Sequence, residues 1–160
     1  MYIARASRRA APLAAEGSAA LHREGAHASW SLAMKHRLLL VEGAAATLSS
    51  MQEYFEALGF EVVRTGAARD ARETLLRPGI AALLIELCAD PSEVSDRLDV
   101  IRGARRPQAG LPIVVLADGA PAAFLEEARR LGADVVLERT SRLAEVAENL
   151  ERLLNGAGEA

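Results

Sequence analysis

From Lys35 onward, hydrophobic residues follow two alternating patterns. Short unbroken aliphatic runs of strand length give way to longer stretches in which apolar residues recur every three or four positions. "RLLLV" (37–41) predicts a buried first strand. In "AAATLSSMQEYFEALG", which follows, Leu48, Met51, Phe55 and Leu58 form one helical stripe closed by Gly59. "FEVVR" predicts a second strand, and "AARDARETLLR" a helix stopped at Pro78-Gly79, where proline can neither donate an amide nor continue the turn. "AALLI" (81–85) is the most apolar run and predicts a central third strand.

The second half repeats the scheme. Asp90-Pro91-Ser92-Glu93 has the form of a capping box opening a helix, with Val94, Leu98 and Ile101 on one face. A basic loop, "GARRPQAG", leads to a fourth strand, "LPIVVLA". "PAAFLEEARRLG" predicts a helix ending at Gly132, and "ADVVLE" a short fifth strand. "SRLAEVAENLERLLNG" predicts the last helix, with Ser141 as N-cap and a Val146, Leu150, Leu153, Leu154 face. Five β–α units with strands this apolar need cover on both faces of one sheet. The predicted fold is therefore α/β: a doubly wound, five-stranded parallel sheet in the flavodoxin-like order 2-1-3-4-5.

Such sheets bind ligands beyond the carboxyl ends of their strands, at the switch between strands 1 and 3. Those ends carry Glu42, Glu86, Ala117-Asp118 and Glu138-Arg139. Glu86, which terminates the most apolar run, has two readings: the first solvated residue past a strand, or a member of a rim site. Asp118, before Gly119 and Pro121, reads first as a residue shaping the start of the next helix.

Composition narrows the function. A net charge of −3 over 160 residues gives no general field for nucleic acid. No apolar run approaches the roughly 18 residues of a membrane helix, so a cytoplasmic protein without membrane attachment is expected. The one cysteine, Cys88, excludes an internal disulfide and reads as a structural thiol. His22, His27 and His36 all precede the first strand and show no metal spacing. Residues 1–34 are rich in Ala, Ser, Gly and Arg, include Trp30, and show no sustained period; they read as a disordered leader. Met34 is an alternative start. Residues 35–156 form the expected domain and 157–160 a tail.

"LLLVEGAAATLSSMQEYFEALGFEVVRTG", "AALLIEL", "PIVVLAD" and "LGADVVLER" resemble bacterial response-regulator receiver domains, the CheY-like modules of two-component signalling. The resemblance covers roughly residues 36–154. It implies a site in which an acidic pair after strand 1 helps hold magnesium and an aspartate after strand 3 accepts a phosphoryl group. It also implies a Ser or Thr after strand 4 and a Lys after strand 5 that contact the phosphoryl group. On this chain the acidic pair falls on Glu42 and Gly43, the acceptor on Glu86, the hydroxyl on Ala117 and the lysine on Arg139. The strand-5 aromatic falls on Val136, the proline after the lysine on Thr140, and the metal-facing carbonyl on Cys88. Pro91 stands one position later than in the family.

Each departure has a consequence. Magnesium demands near-octahedral oxygen ligation, and Gly43 removes a carboxylate from it. Ala117 cannot donate to a phosphoryl oxygen, and phosphoryl transfer depends on such positioning. Glu86 reaches further than aspartate, and the guanidinium fork of Arg139 is expected to pair with it in bidentate fashion. The expectation is a degenerate receiver: a non-enzymatic interaction module with weak or absent magnesium binding and no other cofactor. Its partner would be a signalling protein or a second copy, docking on the last two helices and strand 5 through Glu126, Arg130, Arg142 and Glu145. The alternatives are a working phosphoacceptor using Glu86 or a neighbouring acid, and a small-molecule binder. Against the last, "EGAAAT" after strand 1 carries one glycine and no histidine lies in the core.

Overall fold

A computed structural model describes residues 36–43, 49–104 and 110–157. The leader, Leu48 and the Arg105-Arg106 pair lie outside the described residues. The elements alternate as β1 (Arg37–Val41), α1 (Ser49–Ala57), β2 (Glu61–Thr65), α2 (Ala68–Leu76) and β3 (Ile80–Cys88). They continue as α3 (Pro91–Ala104), β4 (Ile113–Asp118), α4 (Ala122–Leu131), β5 (Val135–Glu138) and α5 (Leu143–Ala157). All strands pair in parallel, in the order β2-β1-β3-β4-β5, as the pattern predicted.

Strand alternation divides the core in two. Leu39, Val41, Leu83, Ile85, Ile113 and Val115 pack beneath α2, α3 and α4. On the other face Leu38, Leu40, Leu84, Val114 and Leu116 meet Met51 and Phe55 of α1 and Val146 and Leu150 of α5. The three central strands are buried on both faces, whereas the edge strands β2 and β5 are half-buried and carry the charges Glu61, Arg64 and Glu138. That contrast explains why the centre of the sheet reads as unbroken aliphatic runs.

Local chemistry sets the element ends. Gly59 has φ +100°, a conformation that costs glycine little, and it closes α1 in a Schellman motif. The Gly59 N–H donates to Glu56 O and the Phe60 N–H to Phe55 O, both at 3.0 Å. The Phe60 ring then meets Phe55 edge-on at 5.6 Å. Asp90 Oδ1 accepts from the Ser92 N–H at 2.9 Å at the start of α3.

Two of the boundaries that differ from expectation are explained by their contacts. α5 begins at Leu143, and the Arg142 carbonyl accepts from the Glu145 and Val146 N–H groups, which puts Ser141 one residue before the cap. β3 runs three residues past Ile85, because β4 continues beside it: Glu86 is in register with Leu116, Leu87 with Ala117 and Cys88 with Asp118. A polar residue had imitated a strand end.

Phe55 is fully buried between Tyr54 and Phe60, with both rings edge-on to it. Phe55→Ala is expected to lower the unfolding free energy by about 3–5 kcal/mol, measured by urea denaturation.

Candidate functional site

Glu86 is not the first solvated residue after β3. It lies inside the strand, on the face shared by Ala82 and Leu84, and is only 1% exposed. Pairing with Leu116 of β4 holds its backbone in the sheet, one residue past the last β1 pair, Val41 with Ile85. Its carboxylate receives the Gly43 N–H at a long 3.4 Å through Oε2. Oε1 has no hydrogen-bond partner among the described residues. Burial is the largest influence on this group and pushes its pKa up. The Gly43 N–H and the Arg139 charge pull it back, while the neighbouring Asp118 carboxyl raises it further.

Gly43 permits this arrangement sterically. A Cβ there would stand 3.1 Å from Glu86 Oε1 and 3.3 Å from its Cδ, closer than a side chain ordinarily tolerates. The Glu86 carboxylate therefore occupies the space into which an acidic side chain at 43 would grow. Glu42 turns instead to Arg64 on β2, in contact through Nε and Oε1. The register explains the meeting: Leu40 pairs with Arg64, and Glu42, two residues on, shares the same face. Arg64 also donates to Gln52 Oε1 of α1 at 3.1 Å.

Arg139 approaches Glu86, but not as a bidentate fork. Its Nε lies 3.7 Å from Glu86 Oε1, beyond hydrogen-bond reach, and its Nη1 lies 3.5 Å from Asp118 Oδ2. Arg139 follows β5 directly, and its N–H bonds the Ala117 carbonyl at 2.9 Å, which fixes the guanidinium's origin between two carboxylates rather than opposite one. Asp118, read from sequence as shaping the next helix, is thus also a member of this cluster.

Sequence reasoning missed Arg97. Only 4% exposed, it donates from Nη1 to the Glu86 carbonyl at 3.0 Å and faces Glu93 at 3.6 Å. Glu93 does not close the capping box; its Oε2 accepts from Cys88 Sγ at 3.2 Å. Burial and then Glu93 push the Cys88 thiol's pKa up, so it stays a protonated donor. The signal was present in the sequence: Arg97 interrupts the stripe Val94, Ile101, Ala104 at helical spacing.

The remaining expected positions are more dispersed. Ala117 is buried in β4, and Val136 is half-buried against the α2–α4 side of the core. Glu126 pairs with Arg129 and Arg130 with Glu127, both at 2.7 Å along α4, while Arg142 and Glu145 stand exposed at the start of α5. On the far side of Gly43, a cavity of about 470 Å³ opens between α2 and α3, lined by Gly66, Arg72, Glu93 and Arg97 among others.

The residues at the rim do not fit the magnesium site that the fold implies. Glu42 is engaged by Arg64, Gly43 supplies no side-chain oxygen, and the longer Glu86 fills the adjoining space. Among the described residues no group of three potential ligands converges.

No family model matches the sequence, and no curated protein does. Solved structures do match. The chain is similar to a CheY-like response regulator receiver domain protein from Methanospirillum hungatei, at TM-score 0.69 and 16% identity, covering 79% of this chain and 98% of that one. It is also similar to a response regulator receiver protein from Sinorhizobium medicae, at TM-score 0.65 and 23% identity, covering 78% and 98%. A third is the receiver domain of a sensor histidine kinase from Pseudomonas aeruginosa, at TM-score 0.65 and 22% identity, covering 76% and 99%. That domain was crystallised with magnesium coordinated in its active-site cleft. The architecture is thus that of CheY-like receiver domains.

Glu86 makes the pH dependence of stability testable. The folded chain holds this proton more tightly than the unfolded one, whose glutamate titrates near 4.5. Its contribution is therefore fully favourable below that value and is lost as pH rises through the higher folded value. Urea denaturation across pH 4–8 is expected to show this loss in the wild type and not in Glu86→Gln. A wild-type component of opposite sign would count against the assignment.

Proposed function

We propose that this chain is a signalling module of receiver type that acts through protein binding, without phosphorylation of the acceptor position, in two-component or phosphorelay-type signalling. The observation that carries the reading is the burial of Glu86 at 1% exposure, its carboxylate turned toward the Gly43 backbone instead of offered at an open cleft. An acceptor must present an oxygen in line with an incoming phosphorus, with cationic charge to neutralise it. Here Ala117 provides no hydroxyl, and Arg139 is divided between Glu86 and Asp118.

A domain without a chemical switch acts through its surface. The α4–β5–α5 edge is the docking face in this reading, with Glu126 and Arg130 on one side of the edge strand and Arg142 and Glu145 on the other. The partner is a signalling protein or a second copy of the chain.

Incubation with acetyl phosphate and magnesium, followed by intact-mass measurement, tests the proposal. The unmodified mass is expected. A stoichiometric phosphate adduct overturns the reading and favours a working acceptor at Glu86 or a neighbouring acid.

A further inference from the structure

The rim carries three carboxylates, Glu42, Glu86 and Asp118, and two guanidinium groups placed among them. Arg64 reaches Glu42 from β2, one strand away. Arg139 reaches both Glu86 and Asp118 from the end of β5. Neither guanidinium is loosely placed. Arg64 is steadied by Gln52, whose own Nε2 donates to Glu56 at 2.8 Å, so a chain of contacts ties the cation to α1. Arg139 is set by its backbone bond to Ala117. Cations held this close to acidic oxygens neutralise the charge that would draw in a metal, and they repel a divalent ion directly.

Space is closed as well as charge. The Glu86 carboxylate packs on Gly43 so closely that a Cβ would meet it at 3.1 Å. The two residues are matched: glycine makes room for the longer acid, and the longer acid fills the room a second acid would need.

We infer that the rim is a cation site neutralised from within, in which Arg64 and Arg139 stand in for the divalent ion and the Gly43–Glu86 contact closes the volume that ion would occupy. Arg64 is the specificity-determining residue of the arrangement, because it takes Glu42, the one rim acid that keeps the place of a metal-binding carboxylate. This rests on the same pocket as the proposed function but makes a separate claim: it concerns cation binding, not phosphoryl transfer.

Titration of the ¹⁵N-labelled full chain with Mn²⁺, read as selective broadening of the amides of Glu42, Gly43 and Cys88, tests it. The wild type is expected to show no selective broadening. Gly43→Asp with Glu86→Asp restores two short carboxylates without the clash, and adding Arg64→Gln frees Glu42. The triple variant is expected to bind Mn²⁺ about tenfold or more tightly than the double variant, the scale on which residues flanking a metal site act. If the triple variant does not fold, Glu86→Asp with Arg64→Gln serves, since the shorter acid reopens the volume beside Gly43 while Glu42 is freed; broadening at Glu42 is then expected to appear. Selective broadening in the wild type overturns the inference, as does removal of Arg64 from a variant carrying Glu86→Asp without gain in Mn²⁺ binding. Either result leaves the proposed function standing, because that is decided by the mass adduct.

Discussion

A carboxylate carried inside a central strand is the constraint around which the site is organised. Glu86 is held in the sheet by its pairing with Leu116 of β4, so its charge is delivered to a buried place by backbone pairing and not by a preference of the side chain. Burying a carboxylate is unfavourable unless donors meet it. Here they meet it incompletely: one long bond from Gly43, a cation at 3.7 Å and an orphaned Oε1. The surrounding residues follow from that need. A side chain at 43 would push the Glu86 carboxylate aside, Arg139 lies within electrostatic reach, and Arg97 secures the carbonyl of the same residue.

The buried arginine links this site to the packing of α3. Arg97 sits in a stripe that otherwise consists of core residues, and its charge faces Glu93 while its Nη1 caps the Glu86 carbonyl. Only the arginine of this pair is buried, so losing Glu93 strands the Arg97 charge in the core. The carboxyl end of β3 is therefore tied to α3 by polar contacts as well as apolar ones, in a fold whose other sheet–helix contacts are mainly aliphatic.

Much of the fold was legible in the sequence, because central strands flanked by helices on both faces must be aliphatic throughout and the helices must be striped. β1 was read residue for residue, and the strand order followed from connection length and chirality. What failed, failed for a common reason. The end of β3 was placed too early because a charge inside a strand is indistinguishable, in one dimension, from a charge beyond it. The Arg64–Glu42 contact depends on which residues of β1 and β2 stand side by side, and only the register reveals that. Ser141 missed the cap by one residue, a shift that local propensity cannot resolve. Arg97 was the one feature whose signal was available, as a charge on an apolar stripe.

The state of the Glu86 carboxyl tests the account most directly. Its side-chain carbon, followed by ¹³C NMR as pH is varied in the intact chain, reports the protonation of that group alone. A desolvated and incompletely partnered carboxylate titrates above the ordinary value of 4.5. A midpoint at or below that value would mean that Glu86 is well solvated or well paired, and would contradict the reading of this rim as a closed, self-neutralised site.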